Sequence, residues 1–562
     1  MKLTGAEIVV ECLLEQGVDT VFGYPGGAVL NIYDALYEYS DRLTHIITAH
    51  EQGASHAADG YSRSTGRTGV VIATSGPGAT NLVTGIATAY MDSIPMVAIT
   101  GNVATHLLGL DSFQEVDITG ITMPITKHNF IVKDISKLAE TIRKAFYIAQ
   151  EGRKGPVLID IPKDITQQKC DFKNIPVKEV VFEKSETVDE EISKAIEMIK
   201  ESKHPFIYAG GGVVSSDNAV LELKQFVEQI DAPIALSLMG QCAYDNTNPH
   251  YIGMLGMHGT KTSSLVIAEC DLMIVLGSRF SDRVTCNINT FAKTTKILHI
   301  DIDPAEVNKN VIVDHKVVGD LSYILGRMND DLERLNHTEW MEKVLAWKKE
   351  FPLKQIADDG EAVLPQYVLE TLDELTNGEA ILSTEVGQHQ MWTAQYYNFR
   401  KKRSFVSSGG LGTMGFGLGS ALGSKIANPE RTVVNVAGDG SFYMNMNELS
   451  TIAKFNIPVI ELLFDNNVLG MVRQWQRMFY GKRFSQTVID RGTDYELLAK
   501  AFGIKFLRIE KKSDVRSVLE EALKANCPTL IDCKIDKDVN VLPMVPAGAS
   551  VEDPILEIMI DD

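Results

Sequence analysis

The stretch TVVNVAGDGSFYMNMNELSTIAKFNIPVIELLFDNN, residues 432–467, decides how this chain folds. Residues 432–437 are a short apolar run that meets a glycine, 447–455 read as a helix, and 458–464 are a second apolar run. A strand-helix-strand unit takes a right-handed crossover, which leaves its two strands parallel with their carboxyl ends on one edge of a sheet. Asp439 and Asn466 both fall at that edge. Neighbouring strands lie about 4.8 Å apart, so these side chains can share one cation if the strands are adjacent. Mg²⁺ suits such a pair, because it prefers oxygen, takes one or two protein side chains, and leaves its other positions to water and phosphate oxygens. Gly438 and Gly440 flank the acid and let backbone N–H groups approach phosphate, and the helix after Ser441 points its positive end the same way. The plain alternative is a Gly-Asp-Gly turn with a solvated Asn-Asn loop. The pairing of the two motifs across one unit favours the cation site.

This segment resembles the diphosphate-binding motif of thiamine-diphosphate enzymes, GDG followed by NN. The resemblance implies thiamine diphosphate and Mg²⁺ as cofactors. It also implies a cation held by Asp439, Asn466 and the backbone carbonyl of Val468. Such enzymes use a glutamate, hydrogen-bonded to the cofactor's aminopyrimidine, to help the thiazolium carbon lose its proton. Residues 43–48 read as a strand and 55–62 as a helix, so Glu51 sits at a strand's carboxyl end, the ligand edge of a parallel sheet. A lone glutamate at a helix start often only compensates the helix dipole. Glu51 has company, however, in two glycine turns that open helices: YPGG at 24–27, with Pro25 and Gly26, and TSGPGATN at 74–81. The run TAHEQGASHAADGYSR, 48–63, followed by that second turn, resembles the pyrimidine-binding half of the same family. Glu51 is expected in a largely apolar pocket, where it can share a proton with the ring. Residues 70–99 and 433–463 repeat one pattern of strand, glycine turn, helix, Ile-Pro and strand, which suggests two similar domains facing one another across the cofactor.

A chain of 562 residues exceeds one core, and three domains are expected. Fifty-four basic against 74 acidic residues, a formal charge of −20, argue against a nucleic-acid or anionic-membrane partner. No apolar run approaches the roughly 18 residues of a membrane span. Seven scattered cysteines without a Cys-x-x-Cys pair, and an amphipathic first helix unlike a signal peptide, predict a cytoplasmic protein. The basic run RKKR at 400–403 reads as a solvated loop. Polar breaks at 171–190 and 336–362 separate the expected units. The expected fold class is α/β, with three doubly wound parallel-sheet domains, 1–170, 191–330 and 363–540, then a tail (541–562). The thiamine-enzyme resemblance makes the first pyrimidine-binding and the third diphosphate- and Mg-binding, and the resemblance described next implies that the central one is FAD-binding. The central unit shows strands at 205–209, 233–238, 272–276 and 297–302 and a glycine turn at 210–212. Asp301, Asp303 and Asp320 are acids of the kind that hold a ribose or adenine edge, the alternative being an empty spacer.

Across nearly the whole chain the sequence resembles the catalytic subunits of acetohydroxyacid (acetolactate) synthases. The stretches that carry this are GLDSFQEVDI (109–118), GPVLIDIPKD (155–164), GMLGMHG (253–259), GSRFSDRVT (277–285), GGLGTMGFGLG (409–419) and, most discriminating, LGMVRQWQRMF (469–479). The resemblance implies decarboxylation of pyruvate and joining of the remaining two carbons to pyruvate or 2-ketobutyrate. The products are 2-acetolactate or 2-aceto-2-hydroxybutyrate, at the first common step of valine, leucine and isoleucine synthesis. It implies an FAD without net redox work, on Arg153, Gly210, Gly211, Gly212, Met257, His258, Gly277, Ser278, Arg279, Arg283, Asp301, Gly319 and Asp320. Ser281 and Cys286 depart from the family's Asp and Gly near the flavin. Met414 matches the apolar residue that bends the cofactor, Arg283 the holder of the second acid's carboxylate, and Trp475 the residue that favours ethyl over methyl. Gln114 and Lys163 match residues near the site. Val386, Gly387, Gln388 and His389 match contacts on the diphosphate side, with Gly412, Gly470 and Met471 completing the cofactor set. The family also implies a homodimer, with Glu51 from one subunit facing Asp439 of the other, and a separate regulatory small subunit. The rival readings are another thiamine-dependent enzyme, such as a pyruvate oxidase using FAD for redox or a catabolic acetolactate synthase lacking flavin, a catalytically silent nucleotide-binding subunit, and a non-thiamine flavoprotein.

Overall fold

The strands Val433–Gly438 and Val459–Asp465 lie side by side and parallel, paired from Val433 with Val459 to Gly438 with Phe464. Asp439 and Asn466 therefore leave the same edge of the same sheet. The helix between them starts earlier than its sequence suggests: Asp439–Asn445 is already helical, a 3₁₀ turn covers Met446–Glu448, and Leu449–Lys454 completes the crossover. Glycine and asparagine are poor helix formers, which hid this start. Burial of Phe442 and Asn445 on the inner face outweighs that preference.

The computed structural model describes residues 1–182, 184–353 and 360–557, so part of the expected 336–362 break and the last five residues of the tail lie outside the described residues. Three six-stranded parallel sheets account for the core. The first runs Thr44–Ile47, Thr20–Gly23, Gly69–Ala73, Met96–Asn102, Pro156–Pro162, His128–Ile131. The third runs Phe405–Val406, Ile381–Thr384, Val433–Gly438, Val459–Asp465, Thr529–Lys534, Lys505–Ile509. Counted within each sheet, both have the order 2-1-3-4-6-5, and the two segments that match in sequence pattern supply strands 3 and 4 of each. The middle sheet runs Tyr251–Met254, Ile234–Leu236, Pro205–Ala209, Leu272–Leu276, Lys296–Asp301, His315–Val318. Its order, 3-2-1-4-5-6, is that of dinucleotide-binding sheets, and the glycine turn at 210–212 follows its first strand. The central strands are buried along their length, as a sheet covered by helices on both faces requires, and so read as unbroken apolar runs. Lys2–Thr4 pairs antiparallel with Lys169–Asp171, an association of distant short segments.

The first and third domains meet through the helices Glu51–Thr65 and Gly417–Ala427, whose backbones approach at glycines. A Cβ on Gly60 would stand 2.0 Å from the Ser420 carbonyl oxygen, and one on Gly423 would stand 1.8 Å from that of Ala57. Gly423→Val is therefore expected to destabilise the fold by about 3 kcal/mol, the upper range for overpacking. A urea melt that superimposes on the wild type would show that this contact is not tight.

Beside it, Arg63 is buried between Asp59 and Asp92, 3.0 Å from the latter, and donates to the Ser407 carbonyl at 2.8 Å. Asp92 in turn accepts the N–H groups of Gly409 and Gly410 at 3.1 and 2.7 Å, so the first domain fixes the glycine-rich 407–414 loop of the third. The basic run at 400–403 is not a solvated loop. Lys402 donates to the carbonyls of Ser216 and Asp217 in the middle domain at 2.8 and 2.7 Å, and Arg403 to that of Arg63 in the first at 3.1 Å. Carbonyls of the two neighbouring domains thus serve as acceptors for these cations, and burial pushes Lys402 down to about 8. All seven cysteines are free. Among the described residues no helix is long and apolar enough to cross a membrane.

Candidate active site

Asp439 is 2 % exposed. Its two oxygens accept the N–H groups of Gly440 and Asn467 at 2.9 and 2.7 Å, and Asn466 Oδ1 accepts that of Val468 at 3.2 Å. Asp465, equally buried, faces the same edge; it pairs with Lys534 through Oδ2 and leaves Oδ1 without a hydrogen bond. Burial, then the Asp465 charge, pushes the Asp439 carboxyl up. Two buried acids with an amide oxygen beside them form a donor set for a small divalent cation. The loops around it touch closely: a Cβ on Gly438 would meet His389 Nδ1 at 2.8 Å, one on Gly440 the Leu469 side chain at 2.6 Å, and one on Gly470 the Gln388 Oε1 at 2.0 Å. Ser441 Oγ donates to the Gly438 carbonyl at 3.1 Å. His389 is buried with Nε2 unpaired, and burial lowers its pKa to about 3, so it stands neutral at this edge. The donor set and the glycine-lined loops fit a diphosphate with its metal.

A second cluster sits at the carboxyl edge of the first sheet. Glu51 opens its helix at 9 % exposure, and its Oε2 accepts 3.0 Å from Asn81 Nδ2. The two glycine turns converge on it: a Cβ on Gly26 would lie 2.5 Å from the Thr74 side chain, and one on Gly78 3.2 Å from Glu51 Oε1. Gln114, at φ +58°, backs onto Gly76, whose Cβ would stand 2.9 Å from its carbonyl. Pro25 and Lys163 lie at the same sheet edge, after Thr20–Gly23 and Pro156–Pro162. The N–H groups of Ala49 and His50, just before Glu51, are held by Glu448 of the third domain, both at 3.1 Å.

Where the three domains meet lies a cavity of about 750 Å³, the first contributing Met91, Asp92, Ser93, Gly152, Arg153 and Lys154. It is lined on one side by Val386, Gly387, Gly412, Met471 and Trp475, and on the other by Met257, His258, Arg279, Arg283 and Asp301. Arg153, Gly211, Gly212, Gly277, Ser278, Ser281 and Asp320 also line it, whereas Gly210 and Gly319 do not. A Cβ on Gly210 would be 2.3 Å from the Gly277 carbonyl oxygen, so the two turns touch. Tyr208 Oη and Glu306 Oε2 are buried there without partners, and burial pushes Asp301 up to about 6. A large cavity with unpaired buried polar groups and a bare glycine turn fits a dinucleotide. Several expected contacts have other work. Arg153 pairs with Asp303 at 3.2 Å and Glu306 at 2.6 Å. Asp320 caps the helix Leu321–Asp331 through the N–H groups of Ser322 and Tyr323. Arg283, in contrast, is 62 % exposed, and its nearest acid, Asp282, lies 4.0 Å away, which leaves its fork open to an anion. Trp475 is half-buried, with an edge contact to Phe479, and is cavity wall, not core. Cys286 lies just outside at φ +53°, where glycine would be relaxed.

Glu51, Gln114, Asp439 and Asn466 do not line this cavity within one protomer. Glu385 was not legible as a site residue. It ends the strand-like run ILSTE and binds the N–H groups of Gly415 and Gly417 at 2.6 and 2.9 Å, clamping the loop that carries half-buried Met414. Burial pushes the Glu385 carboxyl up to about 7, against the pull of those donors.

Three family models match the chain: "Thiamine pyrophosphate enzyme, N-terminal TPP binding domain" over residues 3–121, the central domain of the same enzymes over 192–328, and their C-terminal TPP binding domain over 385–533. The class is that of the thiamine pyrophosphate enzymes. Relatives align along the whole length. The "Probable acetolactate synthase large subunit" of Methanocaldococcus jannaschii is 45 % identical over 100 % of this chain and 96 % of its own. The acetolactate synthase isozyme 2 large subunit of Escherichia coli is 43 % identical over 98 % of both. The large subunit from Porphyra purpurea is 42 % identical over 97 % of this chain and 94 % of its own. The chain belongs to the family of acetolactate synthase large subunits.

Proposed function

We propose that this protein is the catalytic subunit of an acetolactate synthase. It takes CO₂ from one pyruvate and joins the remaining two-carbon unit to the keto carbon of a second pyruvate or of 2-ketobutyrate. The observation that carries the reading is the pair of buried acids and the amide at the edge shared by Val433–Gly438 and Val459–Asp465. Thiamine diphosphate, when bound, supplies the nucleophilic carbon and the electron sink. Asp439, Asn466 and the Val468 carbonyl would hold Mg²⁺, with Gly438, Gly440, Ser441, Gly470 and the 386–389 loop around the diphosphate. Glu51 would exchange a proton with the cofactor's aminopyrimidine. Met414, on the loop that Glu385 clamps, would pack against the bound cofactor as its apolar support. Gln114 and Lys163 serve the substrate side. Arg283 receives the carboxylate of the second acid, and Trp475 sets the size of its alkyl group. The 750 Å³ cavity would take FAD in a structural role.

The same reading includes a homodimer whose sites form between protomers. It includes a regulatory small subunit, suggested by relatives named large subunits, and a cytoplasmic location, to which seven free thiols are suited.

The test removes all three cofactors and restores them singly. Acetolactate formation from pyruvate is expected to vanish without thiamine diphosphate or Mg²⁺ and to return with both, and FAD should raise the yield of active enzyme. Under anaerobic pyruvate the flavin absorbance should hold steady. Bleaching with acetate formation would make the protein an oxidase, and carboligation surviving complete removal of thiamine diphosphate would end the proposal.

A further inference from the structure

Trp475 stands on the helix Gly470–Phe479, and its neighbour Gln474 points away from the cavity into the protein, at 2 % exposure. There its amide meets the segment after the last strand of the third sheet. Oε1 accepts the Val541 N–H at 2.9 Å, and Nε2 donates to the Val541 carbonyl at 3.0 Å. A side-chain amide that satisfies both polar groups of one residue copies the bonding of a neighbouring strand, which fixes its plane as well as its distance. The same Oε1 accepts 3.0 Å from Gln388 Nε2, which also donates to the Val539 carbonyl at 2.9 Å. Gln388 follows the cavity residues Val386 and Gly387. Four residues beyond Val541, the Val545 N–H donates 2.8 Å to the carbonyl of Met257, on the opposite wall. One strap of chain, 539–545, thus joins the wall that bears Trp475 to the wall that bears Met257 and Arg283.

We propose that Gln474 is a positioning residue for substrate selectivity: by locking its helix to Val541 it sets how far Trp475 reaches toward the second keto acid. The inference rests on the reading of Trp475 as the residue that senses the alkyl group. Discrimination over one methylene depends on how closely a pocket fills, so a small retreat of the indole lowers it. Replacing Gln474 by leucine leaves the Val541 N–H and carbonyl buried and unpaired and removes one of the two acceptors of Gln388 Nε2, which keeps the Val539 carbonyl. The ion pairs of Arg473 and Arg477 with Asp538 remain, but the helix loses its direct hold on Val541.

The test supplies the holoenzyme with equal pyruvate and 2-ketobutyrate and measures the ratio of acetohydroxybutyrate to acetolactate, a quantity unaffected by the fraction of enzyme that is folded. Trp475→Leu is expected to lower the ratio about tenfold or more. Gln474→Leu should lower it about threefold to tenfold with Trp475 still present, and the double variant should fall no further than Trp475→Leu alone, because one change acts through the other. Gln474→Glu keeps the acceptor but sets a second oxygen against the Val541 carbonyl; it should lower the ratio too, and it decides the matter if the leucine variant fails to fold. A normal ratio in the Gln474 variants while Trp475→Leu shifts it would overturn the inference and leave the reading of Trp475 standing. A normal ratio in Trp475→Leu would overturn both.

Discussion

Glu51→Gln is expected to lower acetolactate formation by about 10² to 10⁴-fold, the usual worth of a positioned acid-base group, without changing the melting temperature appreciably. The substitution is isosteric. Its amide oxygen can keep the 3.0 Å bond from Asn81, and the helix Glu51–Thr65 retains its other supports: Glu448 on the preceding N–H groups and His50 Nδ1 accepting from Gln52 N–H at 3.1 Å. What the variant loses is a group that can both give and take a proton against a ring nitrogen. The competing role for an acid at this place is compensation of the helix dipole, which would cost about 0.3 to 1 kcal/mol of stability and leave turnover untouched. The two roles therefore separate in two measurements on one variant. Steady-state rates with saturating thiamine diphosphate, beside a thermal melt, make the comparison. Near-full turnover with a lowered melting point would remove Glu51 from the chemistry.

The residues legible in the sequence were those whose signal is local. Val433–Gly438 and Val459–Asp465 announce themselves as apolar runs, and Glu51 is marked by the glycine turns at 24–27 and 74–81 that the fold brings against it. The strands Tyr251–Met254 and His315–Val318 were missed as strands because they are short edge strands without a long apolar run. The residues that assemble the site's frame were missed for another reason. Asp92 binds Gly410, 318 positions away, and Gln388 binds Val539, 151 positions away. A carboxylate or amide that serves a distant backbone leaves no period and no spacing to read. The same holds for Lys402 and Arg403, which look like any charged loop until the carbonyls they satisfy are folded against them.

Mixing two inactive variants should restore activity. Asp439→Asn removes a charged donor from the cation site and is expected to lower turnover at least about a hundredfold, and Glu51→Gln does so by the route above. In one protomer the Glu51 cluster and the cavity beside Trp475 are separate, and the start of the Glu51 helix is docked on Glu448 of its own third domain. On the segment that carries Gln114, Phe113 is 88 % exposed, with Leu110 and Met123 close to 70 %. Apolar side chains of that size in solvent beside a proposed substrate residue are suited to burial against a second copy of the chain. If Glu51 of one protomer works with Asp439 of its partner, a mixed dimer has one doubly altered site and one intact site. Random reassembly of equal amounts makes half the dimers mixed, so about a quarter of wild-type activity should return on mixing after dissociation. If instead each protomer completes its own site, every site carries one lesion and mixing returns nothing. The assay starts from two near-zero rates, so the outcomes differ by more than an order of magnitude, and the recovered fraction reports directly whether the acid and the cation site belong to different chains.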